Sequence, residues 1–468
     1  MRLDQALLKK VIPDAQIISG ELPAEIIFSV DSRTITHEQI FIPIKGMQVD
    51  GHSFLESALQ KSKGAFVARS QKTLWQPVVK NYPDAIIVEV ENPEQALFDL
   101  AAAWRSQFDF PIVGVTGSVG KTSTKMLLAQ ILTASGKNCF VSLANQNTLF
   151  GAALNMVRLH EKHDVAVFEM GISKPGEMAA IVKLVRPTTA LITCIGNSHI
   201  EGLGSLQGVA FEKRAIFSCF KEDNVGIING DQPLLSLVGY AHPIIRFGLK
   251  TTNQIQARKI KETDQGLNFT LKIYRTKYNL SLAGSSGQYI NNMLAATAAA
   301  CFLGVEDQVI VQQLQCALKP ERRFQSCPLK GYKGVLIDDA YNASPESVKA
   351  ALLGLQALKT KAKKILVLGD MLELGQKSPF WHRQIGRFLR KVPSLQSVIL
   401  VGKQVEWVQK TIPISIAVHL APSWQEAAEM LKSELDQESV VLVKGSFGMQ
   451  LSKLVEQFAD KNYSPQAL

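Results

Sequence analysis

Short apolar runs alternate with stretches of helical period along most of this chain. Phe110 to Val115 is a compact apolar run, and Thr124 to Ser135 repeats apolar residues at three- and four-residue spacing before Gly136. This predicts a buried strand, a turn, and then a helix that stops at the glycine. Further buried strands are predicted at Val165–Phe168 and Thr189–Ile195. Upstream, runs at Ile26–Val30, Ile40–Ile44, Ala65–Ala68 and Ala85–Val90 predict strands, and Pro93–Phe108 predicts a helix. Downstream, Val335–Ile337, Ile365–Leu368, Val398–Val401 and Val440–Val443 alternate with helical stretches near 346–359, 377–390 and 423–436.

The fold class expected is α/β in three domains. Residues 1–108 form a small α/β substrate domain, 109–318 a central parallel-sheet ATPase domain and 319–468 a Rossmann-like domain. No Gly-x-Gly-x-x-Gly turn follows a strand in the last unit, so a dinucleotide is not expected there.

The turn between strand and helix carries the chemistry. It reads Thr116-Gly-Ser-Val-Gly-Lys-Thr122. Such a loop wraps phosphate oxygens with backbone N–H groups, the lysine adds a point charge, and the threonine hydroxyl is the expected Mg²⁺ ligand. The usual P-loop has glycine where Val115 stands; here Gly117 lies inside the loop. Gly117, Ser118, Gly120, Lys121, Thr122 and Ser123 are therefore the expected nucleotide-binding residues. Glu169 and His199 each follow a predicted strand, and strand C-termini of a parallel sheet share one edge, where ligands bind. Asp338 and Asp339 follow a strand of the last unit, where adjacent carboxylates imply a nucleotide or metal contact. The helical pattern around Lys213 by itself places that lysine on a helix surface.

The chain of 468 residues has 46% hydrophobic and 20% charged residues, which fits a globular protein. No apolar run reaches the ~18 residues of a bilayer span. Six scattered cysteines form no close pair, which points to a reducing cytoplasm. The net charge of +10 is spread along the chain, so a polyanionic small substrate accounts for it as well as nucleic acid does.

The P-loop, Glu169-Met-Gly171, His199 and Lys213, in this order, resemble the Mur ligase family, ATP-dependent amide-forming enzymes of peptidoglycan precursor synthesis. Asp31-Ser-Arg-Thr34, Asp338-Asp-Ala-Tyr-Asn-Ala-Ser-Pro345 and Leu368-Gly-Asp-Met-Leu-Glu-Leu-Gly375 extend the resemblance over essentially the whole chain. It implies ATP, two Mg²⁺ ions, and UDP-N-acetylmuramoyl-tripeptide and D-Ala-D-Ala as the partners; no nucleic acid, no membrane insertion and a monomer are expected, since no long basic block, bilayer-length apolar run or coiled-coil pattern is present. Lys121, His199 and Lys213 would be catalytic. Thr122 and Glu169 would hold one ion, and His199 with a carbamylated Lys213 the second. Asn292 would contact adenine, while Arg322 or Arg323 and Asp339 would reach the nucleotide from the last domain. Ser32, Arg33 and Thr34 would lie near the UDP end, and Asn145, Asn147 and Thr148 along the peptide. The chain departs from the family pattern at Gln288-Tyr289, at Pro320-Glu-Arg-Arg323, at Thr148 and at Phe447. A sibling Mur ligase or a folylpolyglutamate synthase-type ligase is the alternative within the class. A P-loop motor or switch is the alternative outside it.

Overall fold

The computed structural model describes residues 1–46, 49–143, 146–263, 266–283, 287–316 and 324–460. Three sheets organise them. The first runs Gln16–Ser19, Ile86–Val90, Gly64–Ala68, Gln39–Phe41, Ile27–Ser29, parallel except for the antiparallel pair at its start. The second has nine strands in the order Thr276–Ala283, Gly266–Ile273, Ile255–Thr263, Ile244–Gly248, Val225–Asn229, Thr189–Ile192, Ile112–Thr116, Val165–Glu169, Cys139–Val141. Its last seven are parallel, and the first three form an antiparallel extension. The third runs Gln325–Pro328, Val335–Asp339, Val440–Lys444, Lys364–Gly369, Leu395–Val401, Ala417–Ala421, parallel except for its first pair.

Most strands predicted from continuous apolar runs end up covered on both faces; Ile27–Ser29, at a sheet edge, leaves Ile27 exposed, and the equally buried Val225–Asn229 is not among those predicted. Ile112–Thr116, Val165–Glu169 and Val440–Lys444 are buried at every position, as parallel strands between helix layers must be. The antiparallel extension has no such run to announce it. Gly266–Ile273 alternates half-buried and buried positions, so its apolar signal is spread over a period of two.

The helix predicted after the P-loop spans Lys121–Ala134, and Gly136 takes the left-handed conformation just past its end. Its Leu128, Ile131 and Leu132 are buried against the central sheet and the helix Ile290–Phe302. The helix Pro93–Arg105 has an Asn92 cap and a proline in its first turn. Its Leu97, Leu100 and Trp104 belong to a single apolar core with Phe28 and Phe66 of the first sheet and Phe168 of the second. The first two units are thus packed through one shared helix.

At the end of that helix, the buried Arg105 guanidinium donates to Val185 O (2.9 Å), Phe108 O (2.6 Å) and Arg186 O (3.1 Å). Burial, with Arg186 nearby, pulls its pKa down to about 10. Arg186 itself caps the helix Glu177–Val185 in a left-handed conformation (φ 47°), which a non-glycine residue holds only when tied. Arg105→Met would leave those carbonyls without donors. We expect it to cost about 2 kcal/mol of stability, read by denaturant unfolding, with faster amide exchange over 181–186. Unchanged stability and exchange would refute this role.

Candidate active site

The P-loop is shaped by two glycines with positive φ. Gly117 (φ 148°) lies so close to the Thr193 side chain that no Cβ fits, and Gly120 (φ 87°) leaves no room for one against the Asn292 amide. Ser118 fastens the loop to the neighbouring strand end: its N–H donates to Cys194 O (2.9 Å), and its hydroxyl accepts from Gly196 N–H (2.8 Å). The turn opens onto the helix Lys121–Ala134, whose first backbone N–H groups and positive dipole end suit phosphate. Lys121 Nζ curls back to Gly117 O (2.9 Å), and Ser123 follows in the same helical turn.

Glu169 ends the strand beside the loop and is buried. Its Oε2 accepts from the Thr122 hydroxyl (2.9 Å) and faces Lys125 Nζ at 3.4 Å. Its Oε1 accepts from Asn147 Nδ2 (3.0 Å). Burial would raise its pKa, but Lys121, Lys125 and the hydrogen bonds from Asn147 and Thr122 outweigh burial and hold it below the ordinary value. The Thr122 hydroxyl and the Glu169 carboxylate are oxygen donors side by side at the phosphate loop, the donor type that Mg²⁺ takes.

A cleft of about 190 Å³ lies over this set. Lys121, Thr122, Asn147, Thr148, Glu169 and His199 line it from the middle unit, and Tyr341, Asn342 and Ser344 from the last. The sequence-predicted residues on the first three central strand ends therefore meet in one place. His199 (φ 62°) sits just before a short helix, and its Nδ1 lies 2.6 Å from Glu373 Oε2. Glu373 also has a left-handed backbone (φ 62°). The His199 hydrogen bond, against burial, holds its carboxyl below the ordinary carboxylate range. Asn197 adds a second link, donating through N–H (3.1 Å) and Nδ2 (2.6 Å) to Glu346 Oε1.

Lys213 departs from the surface placement that its helical pattern implies. It is fully buried, and its Nζ has no hydrogen-bond partner among the described residues. Burial, with Lys121 nearby, lowers its pKa from 10.5 to about 7. Asp339 pairs with Lys444 Nζ (2.6 Å). Thr148 caps the helix Leu149–Met156. Arg33 folds back on Asp31 (2.7 Å), and Ser32 and Thr34 flank it at the end of the strand Ile27–Ser29. Asn145, Arg322 and Arg323 lie outside the described residues. Sequence reasoning missed Lys125, Glu346 and Glu373. Lys125, one helical turn after Lys121, could have been found by that spacing; the two acids depend on packing between units.

Known proteins resemble this chain over nearly its whole length. The Mur ligase middle domain model matches residues 115–300, and the Mur ligase glutamate ligase domain model matches 322–447. The UDP-N-acetylmuramoyl-tripeptide–D-alanyl-D-alanine ligase of Bacillus subtilis (strain 168) is 31% identical over 93% of both chains. That of Escherichia coli (strain K12) is 31% identical over 94% of this chain and 96% of its own. The MurF structure from Acinetobacter baumannii superimposes with a TM-score of 0.82 at 25% identity, over 98% of each chain. Thermotoga maritima MurF in complex with ADP gives 0.76 at 25% identity, over 92% of this chain and 96% of that one.

The chain belongs to the Mur ligase family, the ATP-dependent amide ligases built on this P-loop and three-unit layout. Within that family it is a MurF-type ligase of peptidoglycan precursor synthesis.

Gly120→Ala places a methyl group against Asn292 Oδ1 on a backbone at φ 87°. We expect ADP affinity to fall about tenfold or more with the fold intact. Calorimetric titration with ADP checks it, and wild-type affinity would refute the loop geometry.

Proposed function

We propose that the chain joins D-Ala-D-Ala to UDP-N-acetylmuramoyl-tripeptide at the expense of ATP. The observation that carries this reading is the convergence of Lys121, Thr122 and Glu169 with Tyr341–Ser344 of the last unit around one cleft. Residues 1–108 would hold the UDP end through Ser32, Arg33 and Thr34, residues 109–318 the phosphates, and residues 319–468 would close over them through Asp339 and Arg322 or Arg323. Asn292, beside the phosphate loop, would contact the nucleotide, and Asn145, Asn147 and Thr148 the peptide.

In the first step an oxygen of the terminal peptide carboxylate attacks the γ-phosphorus of ATP, ADP leaves, and an acyl phosphate forms. In the second, the D-Ala-D-Ala amine attacks the acyl carbon, loses a proton, and inorganic phosphate leaves. Lys121 would neutralise charge on the β- and γ-oxygens. The P-loop N–H groups would hold those oxygens for in-line attack. Thr122 and Glu169 would hold Mg²⁺, which supplies charge neutralisation on the phosphates when bound. The chain would act as a monomer in the cytoplasm, on small molecules rather than nucleic acid. Among the described residues no helix is long and apolar enough to cross a membrane.

Lys213 as an ammonium is no ligand for a cation. Burial and Lys121, against Cys194 and Glu212, push its Nζ toward the neutral amine, the form that reacts with CO₂, and a carbamate there would supply oxygen donors that, with His199, could hold a second Mg²⁺. A buried Nζ with no hydrogen-bond partner among the described residues supports this modification.

Lys121→Ala tests the ligase reading. Phosphate release that depends on both UDP-tripeptide and D-Ala-D-Ala should occur in the wild type and fall about 10²-fold or more in the variant. Phosphate release indifferent to both substrates would indicate a motor or switch instead. Lys213 makes a separate prediction in CO₂-free buffer. The unfolded chain keeps this proton up to about pH 10.5, the folded chain only to about 7. Stability should therefore rise with pH between those values, and Lys213→Met should lack that contribution. Parallel stability profiles for the two proteins would refute it. A ¹³C-carbamate signal after ¹³C-bicarbonate addition, absent in Lys213→Met, would report the modification itself.

A further inference from the structure

A second cavity, of about 720 Å³, lies between the first and middle units. It is remote from the cleft. Ile27, which begins its strand, lines it, whereas Asp31–Thr34 follow that strand's other end. Phe108 and Arg158–Glu161 precede the strands Ile112–Thr116 and Val165–Glu169, whereas the P-loop and Gly171 follow them. Five strand residues, ~16 Å, therefore separate this cavity from the phosphate site.

Its walls are of two kinds. Leu7 and Leu22, half-buried, make the open apolar surface, and Trp104 and Phe108, almost wholly buried and packed edge-on, back it. The indole N–H of Trp104 is satisfied by Leu159 O (2.9 Å), so its ring offers only an apolar face. The charged groups at the rim are otherwise engaged, the Met1 ammonium donating to Ile26 O (2.9 Å) and Val157 O (2.8 Å). Arg2 pairs with Glu161 (3.1 Å), Glu25 faces His160 (3.8 Å), and Asp4 accepts from Leu7 N–H (2.7 Å).

Arg158 is the exception. Its guanidinium is half-buried and has no hydrogen-bond or ion-pair partner among the described residues. Burial lowers its pKa, with no neighbouring carboxylate offsetting the effect. A cation taken out of water without a counter-charge is costly, and a guanidinium presents paired donors matched to a carboxylate. Arg2 on the same wall is offset by the Glu161 carboxylate, so a phosphate dianion would meet one unpaired cation here, the charge that suits a monocarboxylate. The volume lies in the range of small-molecule sites.

We propose that this cavity is a binding site for a small monocarboxylate with an apolar, ring-sized body: the carboxylate on Arg158 and the body against Trp104, Phe108, Leu7 and Leu22. Such a ligand would bridge the first and middle units. The site is separate from the ligase reaction proposed above and does not depend on that reading.

Naphthalene-1-acetate and its neutral analogue naphthalene-1-acetamide, titrated calorimetrically into the full chain, test the proposal. The acid should bind one site saturably, and the amide about tenfold or more weakly. ADP should not displace the acid. Arg158→Met, with ADP affinity retained as the check on folding, should erase the difference between acid and amide. Equal affinities, no binding of the acid up to its solubility limit, displacement by ADP, or an unchanged difference in Arg158→Met would each overturn it. The acid–amide comparison in the wild type stands even if the variant fails to fold.

Discussion

A carboxylate buried at the end of a parallel strand must be held by donors, and at Glu169 that requirement organises the middle unit. Its partners come from three separate segments: Thr122 and Lys125 from the helix Lys121–Ala134, Asn147 from the loop before the helix Leu149–Met156, and the Ser142 hydroxyl, which accepts the Glu169 backbone N–H at 2.9 Å. Lys125 also donates to Ser142 O (2.8 Å), so the cation that balances Glu169 fixes the same loop. Breaking a buried pair of this kind leaves an uncompensated charge, which costs more than the pair contributes. The P-loop helix, the edge strand Cys139–Val141 and the 146–148 turn are therefore placed relative to one another by the same group proposed to hold Mg²⁺. An ion held by Glu169 would thus be positioned by the same side chain that ties these segments together.

The last unit meets this arrangement through residues under backbone strain. His199 and Glu373, both left-handed, face each other at 2.6 Å, and Glu201 N–H donates to Glu373 O (3.2 Å). Residues hold such a conformation when their surroundings over-determine it. The segment around Glu373 is so determined: Met371 N–H donates to the buried His382 Nε2 (3.1 Å), and Leu372 N–H to Ser446 Oγ (2.9 Å). Glu373 therefore meets His199 from a segment tied to the last sheet and its helices rather than from a free loop.

Much of this is legible in the sequence, for a physical reason. Strands covered on both faces are continuous apolar runs, and their ends carry the site. The pattern of runs alone thus puts Thr122, Glu169 and His199 on one sheet edge. The antiparallel extension at 255–283 escapes because half-exposed strands dilute the apolar signal. Lys213 escapes because its helix Leu206–Arg214 mixes polar and apolar residues. Val209, Ala210 and Lys213 are buried there while Phe211 is 70% exposed, so the lysine lies on the inner face and the aromatic ring outside. Glu346 and Glu373 acquire a role only when two units pack, and no local period encodes that.

The buried lysines show why Lys213 stands apart. Lys125 faces Glu169, and Lys444 pairs with Asp339 at 2.6 Å. Lys364, at the start of its strand, donates to Leu355 O, Leu358 O and the Ser394 hydroxyl. Each of these ammonium groups has exchanged water for fixed acceptors, which is how a buried cation is kept charged. Lys213 is equally buried, yet no acceptor among the described residues reaches its Nζ, and Lys121 nearby adds repulsion. Three of the four sites were built for an ammonium and the fourth was not. A site built that way favours the neutral amine, whose lone pair is then free to act as a nucleophile.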